Sequence, residues 1–250
     1  MVKDKVAISL DEGLLHQIDG KVDGNIIRSR SQAIEFYLRK GLREGSVTTA
    51  VLLLKGEYQH LAIKEIHGVS LIKKQIEFFV KHGIKRIFLV TQHGRDMGQL
   101  LAAVEDAPLP VNIIEQETKG NADALHALRG PLKESFIAMS ADTFNDFDLQ
   151  SMVKKHLERD KLATMGLMTT EEPSKYGNAV LDNDLVVDFQ EKPKSASSPV
   201  VNAGIYIFKP EVFELFSGVT SLEKDLFPKL AKIKQLVGFF THGAYLHVGN

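Results

Sequence analysis

The chain of 250 residues contains no cysteine, which removes a disulfide scaffold, a cysteine-ligated zinc site and a thiol nucleophile. That absence also fits a reducing compartment, so the expected location is cytoplasmic. No apolar run approaches the ~20 residues that span a bilayer, so no membrane-spanning segment and no membrane partner is expected. The opening residues, MVKDKVAISLDEG, hold no apolar core of signal-peptide length. Charge of one sign is lacking as well. With 31 basic against 32 acidic residues, the net charge of −1 offers no bulk attraction to nucleic acid or membrane. What is present is a 44% hydrophobic share, enough to bury a sizeable core without staples. Against a typical domain of ~150 residues, the length suits one large domain with a small appendage.

Periodicity places the boundary near residue 45, giving domains 1–45 and 46–250. In residues 4–10, DKVAISL, the side chains Val6, Ile8 and Leu10 alternate with Lys5, Ala7 and Ser9, as in a half-buried strand. Asp11 is a candidate N-cap for a helix carrying Leu14, Leu15, Ile18 and Val22 on one face. Gly24 and Asn25 supply a turn, and Ser29 or Ser31 can cap a second helix. A lone strand has no ladder partner and two short helices bury little, so residues 1–45 are expected to form an obligate homodimer. These residues, above all RSRSQAI, resemble the ribbon-helix-helix repressors of the Arc type over positions 3–44. The resemblance implies paired strands in the DNA major groove, with Lys5, Ala7 and Ser9 facing base edges. It also implies a phosphate held near Ser29, Arg30 and Ser31. The plainer reading is a dimerisation clip, since residues 1–45 carry 8 basic and 7 acidic groups.

From residue 48 strands and helices alternate. Buried strands are expected at TAVLLLKG, KRIFLVTQ, VNIIEQ and SFIAMSAD, with amphipathic helices at 69–82, 95–106 and 121–129. Such alternation predicts an α/β, mostly parallel sheet with its ligand at the carboxyl strand ends, where Asp142 falls. Five later segments resemble the sugar-1-phosphate nucleotidyltransferases: KHGIKRIFLVT, SADTFNDFDL, YGNAVLDNDLVVDFQEKP, NAGIYIFKPEVFELF and SLEKDLFPKLAKIKQLVGFF. The resemblance implies a Rossmann-like core and a reaction that joins a nucleoside triphosphate to a sugar phosphate with Mg²⁺. By position it implies a metal ligand at Asp142, sugar-phosphate contacts at Gly177, Glu191, Lys192 and Asn202, and a loop near the base at Gly120 and Asn121.

The triphosphate side departs from the family pattern. Gly56 remains in the first loop, but Tyr58 stands where a second glycine is usual, and Gln59 and His60 replace a Thr-Arg pair. His247 occupies the place of a second metal-binding Asp, a poor exchange for a cation that prefers oxygen ligands. With the sugar side kept and the cations lost, no catalytic residue is assigned. The expectation is a DNA-binding regulator whose nucleotidyltransferase-like domain binds a sugar nucleotide, sugar phosphate or nucleotide without efficient transfer and without a required cofactor. Its partners would be double-stranded DNA, that ligand and a second copy. One alternative is an active nucleotidyltransferase that requires Mg²⁺. Another is a structural or interaction protein with a vestigial pocket.

Overall fold

A computed structural model describes residues 6–22, 28–44, 47–240 and 245–248. The chain divides into two compact units, Met1–Ser46 and Val47–Asn250. In the first, helix α1 (Glu12–Asp19) begins as the sequence predicts: the Asp11 carboxylate accepts from Leu14 N at 2.8 Å. Helix α2 (Arg30–Glu44) starts where Ser29 Oγ accepts from Gln32 N at 3.2 Å. The predicted strand is not shown in a single copy. Residues 6–10 belong to no strand, and Val6 and Ile8 are 79% and 55% exposed. A single copy offers those residues no ladder partner, and alternation without a partner does not hold a strand. The ribbon of the expected ribbon-helix-helix module is therefore absent from the described residues, while its two helices are present.

The second unit opens with β1 (Thr49–Leu54), whose six residues are all buried, followed by the short helix α3 (Gln59–Ala62). A small hairpin, β2 (Glu65–Ile66) and β3 (Val69–Ser70), precedes α4 (Leu71–Lys81). Then come β4 (Arg86–Thr91), α5 (Met97–Glu105), β5 (Val111–Glu115) and α6 (Asn121–His126). Next are β6 (Phe136–Ser140), β7 (Thr143–Asn145), α7 (Leu149–Arg159) and β8 (Ala163–Thr169). The chain continues through β9 (Gly177–Asp182), β10 (Leu185–Glu191), β11 (Val200–Phe208), α8 (Phe227–Lys232), β12 (Leu236–Phe240) and β13 (Tyr245–His247).

Nine strands form one sheet in the order β5-β4-β1-β6-β11-β8-β12-β10-β9, and β9 also pairs with β11. The expectation of a mostly parallel sheet needs correcting. Strands β5, β4, β1 and β6 are parallel, but β11 runs antiparallel to β6, β8 and β9, and β10 is antiparallel to β12 and β9. The extra β9–β11 pairing closes five strands into a ring, β11-β8-β12-β10-β9. The reason the sequence misleads is physical: a strand covered on both faces shows the same unbroken apolar run in either orientation. Two apolar layers flank the sheet, one centred on Phe136, Phe208 and Phe227, the other on Leu52, Phe79 and Ile87. Phe208, Phe213 and Phe216 are core.

Candidate active site

The parallel strands β1, β4 and β6 end on one cavity of about 800 Å³. At the end of β1, Lys55 and Gly56 begin a tight turn in which Tyr58 N donates to Lys55 O at 2.9 Å. Gly56 is needed there, because a Cβ would lie 2.4 Å from His93 O. Gln59, which stands where the family pattern has a Thr, has a structural task. It is buried, and its Nε2 donates to Thr91 Oγ1 at 3.2 Å and Gln92 O at 3.0 Å, fastening the loop to β4. His60 is exposed outside the cavity lining. Nor does Tyr58 fill the space: the residue is 37% exposed, and its ring lies under Lys55 Nζ, 5.4 Å from the centroid. The loop leaves the cavity open, and Lys55 sits at its wall.

Asp142 lies just past β6, the strand beside β1, and lines the same cavity. Ser140 Oγ donates to its Oδ1 at 2.5 Å, and Val248 N donates to its carbonyl at 3.0 Å. Beneath this turn the buried Gln75 donates its Nε2 to Ser140 O at 3.0 Å and to Thr143 O. A wholly buried glutamine on α4 thus fixes the turn that presents Asp142. A hard carboxylate oxygen with room for phosphate oxygens and water fits Mg²⁺, which takes one or two carboxylates and completes its shell from substrate. Among the described residues no group of three His, Asp or Glu side chains forms a metal cage on its own. The backbone of His247 pairs with Thr143, but its side chain lies outside the described residues.

The third wall comes from the ring of strands. Lys192 follows β10 in a left-handed backbone conformation, φ 44°, with its N–H donating to Tyr176 O at 3.1 Å. That conformation is uncommon for a residue with a Cβ and is held by its surroundings. It puts Lys192 at the cavity wall. Glu191, one residue earlier, pairs with Gly177 across β9 and β10. A Cβ on Gly177 would come 2.4 Å from Phe189 Cζ and 2.9 Å from Glu191 Oε2, so the glycine makes room for both. Burial, and then the charge of Glu223, raises the Glu191 carboxyl above its ordinary range. Asn202 sits at a register shift in β11; its Nδ2 donates to Tyr206 Oη at 2.7 Å, and its Oδ1 accepts from Gly204 N at 2.8 Å. Tyr206 lines the cavity, and burial pushes its phenol well up.

Of the residues expected from sequence, Gly56, Gly120, Asn121, Asp142 and Lys192 line this one cavity. Gly177, Glu191 and Asn202 stand behind it and support residues that do. Sequence reasoning missed Lys119 and Glu223, which also line it, and judged Lys55 out of place as a substitute cation, although it lines the cavity too. Isolated charged residues in an amphipathic stretch look like solvated ones, and only the fold turns them inward. The residues expected to touch DNA fare otherwise. Lys5 lies outside the described residues; Ala7 and Ser9 are exposed and belong to no strand, and Ser31 is exposed in the first turn of α2. Ser29 caps α2, and the Arg30 guanidinium is taken by Asp19, with Nε to Oδ1 at 2.7 Å and Nη2 to Oδ2 at 2.6 Å.

Comparison with known proteins agrees with the cavity. The nucleotidyl transferase family model matches residues 59–247. The mannose-1-phosphate guanylyltransferase catalytic subunit beta of Drosophila pseudoobscura pseudoobscura is 30% identical over 222 residues, covering 82% of this chain and 60% of that protein. The mannose-1-phosphate guanyltransferase beta-A of Xenopus laevis is 32% identical over 184 residues, 70% of this chain and 51% of that protein. The chain thus spans 60% or less of the length of these relatives. Among solved structures, UDP-glucose pyrophosphorylase complexed with UDP-glucose superposes with a TM-score of 0.69 at 18% identity, covering 82% of this chain and 94% of that one, a likeness of fold. Relatives that are named enzymes over most of the chain overturn the reading as a DNA-binding regulator with a domain relieved of transfer chemistry. The chain belongs to the nucleotidyl transferase family.

Proposed function

We propose that residues 47–250 transfer a nucleotidyl group from a nucleoside triphosphate to a sugar 1-phosphate and release pyrophosphate. The observation that carries this reading is the single cavity uniting Gly56, Gly120, Asp142 and Lys192 from four separate parts of the chain. In the reaction a phosphate oxygen of the sugar 1-phosphate attacks the α-phosphorus. A new P–O bond forms, the bond to the bridging oxygen of the β-phosphate breaks, and pyrophosphate leaves. Positioning and cationic stabilisation supply most of the rate enhancement in such transfers. Lys192 holds the sugar phosphate, fixed in direction by its unusual backbone. Lys55 and Lys119 face the triphosphate and take the place of the family's usual loop cations. Asp142 offers its carboxylate to Mg²⁺, which supplies charge neutralisation at the phosphates when bound.

Because the curated relatives are named for mannose 1-phosphate and guanylyl transfer, GTP with mannose 1-phosphate is the first pair to test, followed by the other triphosphates and hexose 1-phosphates. Pyrophosphate release is expected from at least one pair with Mg²⁺. Asp142→Asn should reduce it about 100-fold or more, the scale of losing one group that stabilises the transition state. A folded protein that releases none from any pair would overturn the reading.

A second reading concerns residues 1–45, which we propose pair with a second copy of themselves. Supporting it are the exposed Val6 and Ile8, an alternating apolar edge that one copy leaves uncovered, with the exposed Leu14 on α1. Light scattering on the full chain should give twice the monomer mass, and Val6→Lys with Ile8→Lys should halve it. A monomer at micromolar concentration in the unaltered protein would exclude this.

A further inference from the structure

The loop Gly120–Asn121 enters the cavity beside a segment a hundred residues further on, and the two are joined through both backbone and side chains. Ala122 N donates to Thr220 O at 3.1 Å. Gly120 lies so close that a Cβ would be 2.3 Å from that same Thr220 oxygen. Asn121 Oδ1 accepts from Leu222 N at 2.9 Å, and its Nδ2 spans the Glu223 carboxylate, 3.0 Å from Oε1 and 2.9 Å from Oε2. The segment is itself rigid. The Asp225 carboxylate accepts from Thr220 N, Thr220 Oγ1 and Ser221 N, and Leu222–Leu226 is a π-helical turn, a form common at functional sites.

Two features follow from hydrogen-bond capacity. An amide side chain has one acceptor group and two donor hydrogens. In Asn121 the carbonyl accepts from Leu222 and the amino group is directed at Glu223, so both polar ends of the side chain are engaged within the protein. Glu223, by contrast, is an acceptor held at the cavity wall. Its remaining neighbours are Ser221 Oγ at 3.1 Å from Oε2 and Tyr206 Oη at 3.4 Å from Oε1, the second of these long. Oε1 therefore keeps capacity for a ligand donor. Lys192, Tyr206 and Glu223 all line this part of the cavity, and Glu191 is near enough for the Glu223 charge to raise its carboxyl. A cation for the phosphate and an acceptor for a hydroxyl are the two groups a sugar 1-phosphate requires.

We propose that Asn121 is a positioning residue for the sugar side of the site: it holds Glu223 so that the carboxylate accepts a hydrogen bond from a hydroxyl of the sugar 1-phosphate. The inference rests on the nucleotidyl transfer proposed above and reassigns a residue that resemblance places at the base. The decisive comparison uses Asn121→Asp, equal in size but repelling Glu223, together with Glu223→Gln. With the active substrate pair, both variants should raise KM for the sugar 1-phosphate about 10- to 100-fold, the scale of losing a hydrogen bond to a charged group. KM for the triphosphate should stay within about twofold, less than the loss of a single hydrogen bond. Among monodeoxy analogues of the sugar 1-phosphate, one should lose as much on the wild type as Glu223→Gln loses on the parent, with no further loss on that variant. A raised triphosphate KM with the sugar KM unchanged would restore the base reading and overturn this one.

If the wild type turns over no pair, the reaction proposal fails and calorimetry decides this inference. Mannose 1-phosphate or glucose 1-phosphate should bind wild type about tenfold or more tightly than Asn121→Asp. Equal affinity, or binding of neither sugar phosphate to wild type, overturns it.

Discussion

Lys192 carries two burdens at one position, and they can be separated. Its side chain faces the cavity, while its backbone occupies a left-handed region that costs a residue with a Cβ about 1–2 kcal/mol. Replacing it with glycine removes the cation and the strain together. Lys192→Gly should hold or raise the melting temperature, by a few degrees at most, while pyrophosphate release collapses. Lys192→Ala should lose activity without the gain in stability. A glycine variant that melts well below the alanine variant would show that the backbone is not strained there. At this scale the sequence was partly legible. The run Glu191-Lys192-Pro193 marks the sugar side, and Asp142 is recognisable by its place after a buried strand. Gln59, Gln75 and Glu223 were not, because polar residues in helical stretches look solvent-facing. Their roles come from contacts to residues 32, 65 and 102 positions away.

Helices and strands add a second class of consequence. On α7, His156 is fully buried, its Nδ1 is 2.9 Å from Thr164 Oγ1, and its Nε2 has no partner. Burial first, then the charge of Lys209, lowers its pKa to about 4, against 6.5 for a free histidine. The folded state thus refuses a proton that the unfolded chain accepts. Stability from this group is fully present above about pH 6.5, declines as pH falls toward 4, and is constant below that. The difference amounts to about 3 kcal/mol over the window. His82, lowered mainly by burial as well, adds a smaller effect of the same sign. Denaturant midpoints measured from pH 7.5 to 4 should fall accordingly, and His156→Gln should flatten most of the slope. An unchanged slope would mean that water reaches the ring. On β9, Gly177→Ala forces a methyl against Phe189 and should destabilise by about 1–3 kcal/mol, read by chemical denaturation. It should also weaken sugar-phosphate binding, since Glu191 is displaced with the ring. The first strands and helices of this unit were legible because alternation and helical spacing are local. The closing of β9 onto β11 was not, because no local pattern encodes which edge a strand will meet.

As a whole, the molecule is two compact units, and only one holds the cavity. Residues 47–250 expressed alone should melt as one cooperative transition and retain pyrophosphate release within a few-fold, while losing any self-association due to residues 1–45. Loss of folding on that deletion would show that the first unit supports the second. In the sequence the period changes near residue 45, and the two compact units divide between Ser46 and Val47. The regulator reading failed because it weighed three altered loop residues and His247 against family motifs spread over most of the chain, and because spacing alone put Lys55 out of place and gave no sign of Lys119, both of which line the cavity. The position of β12 has a further consequence, for the order of events during synthesis. Residues 236–240 slot between β8 and β10, strands made some fifty to seventy residues earlier. Until they emerge from the ribosome, the nascent chain holds Asp142, Lys192 and Glu223 but leaves two facing edges unsatisfied, one of them buried on both faces in the finished fold. Such edges invite pairing between chains. A chain stopped at residue 234, with every group proposed for catalysis in place, should aggregate, so the last strand of the ring serves as the checkpoint between synthesis and solubility.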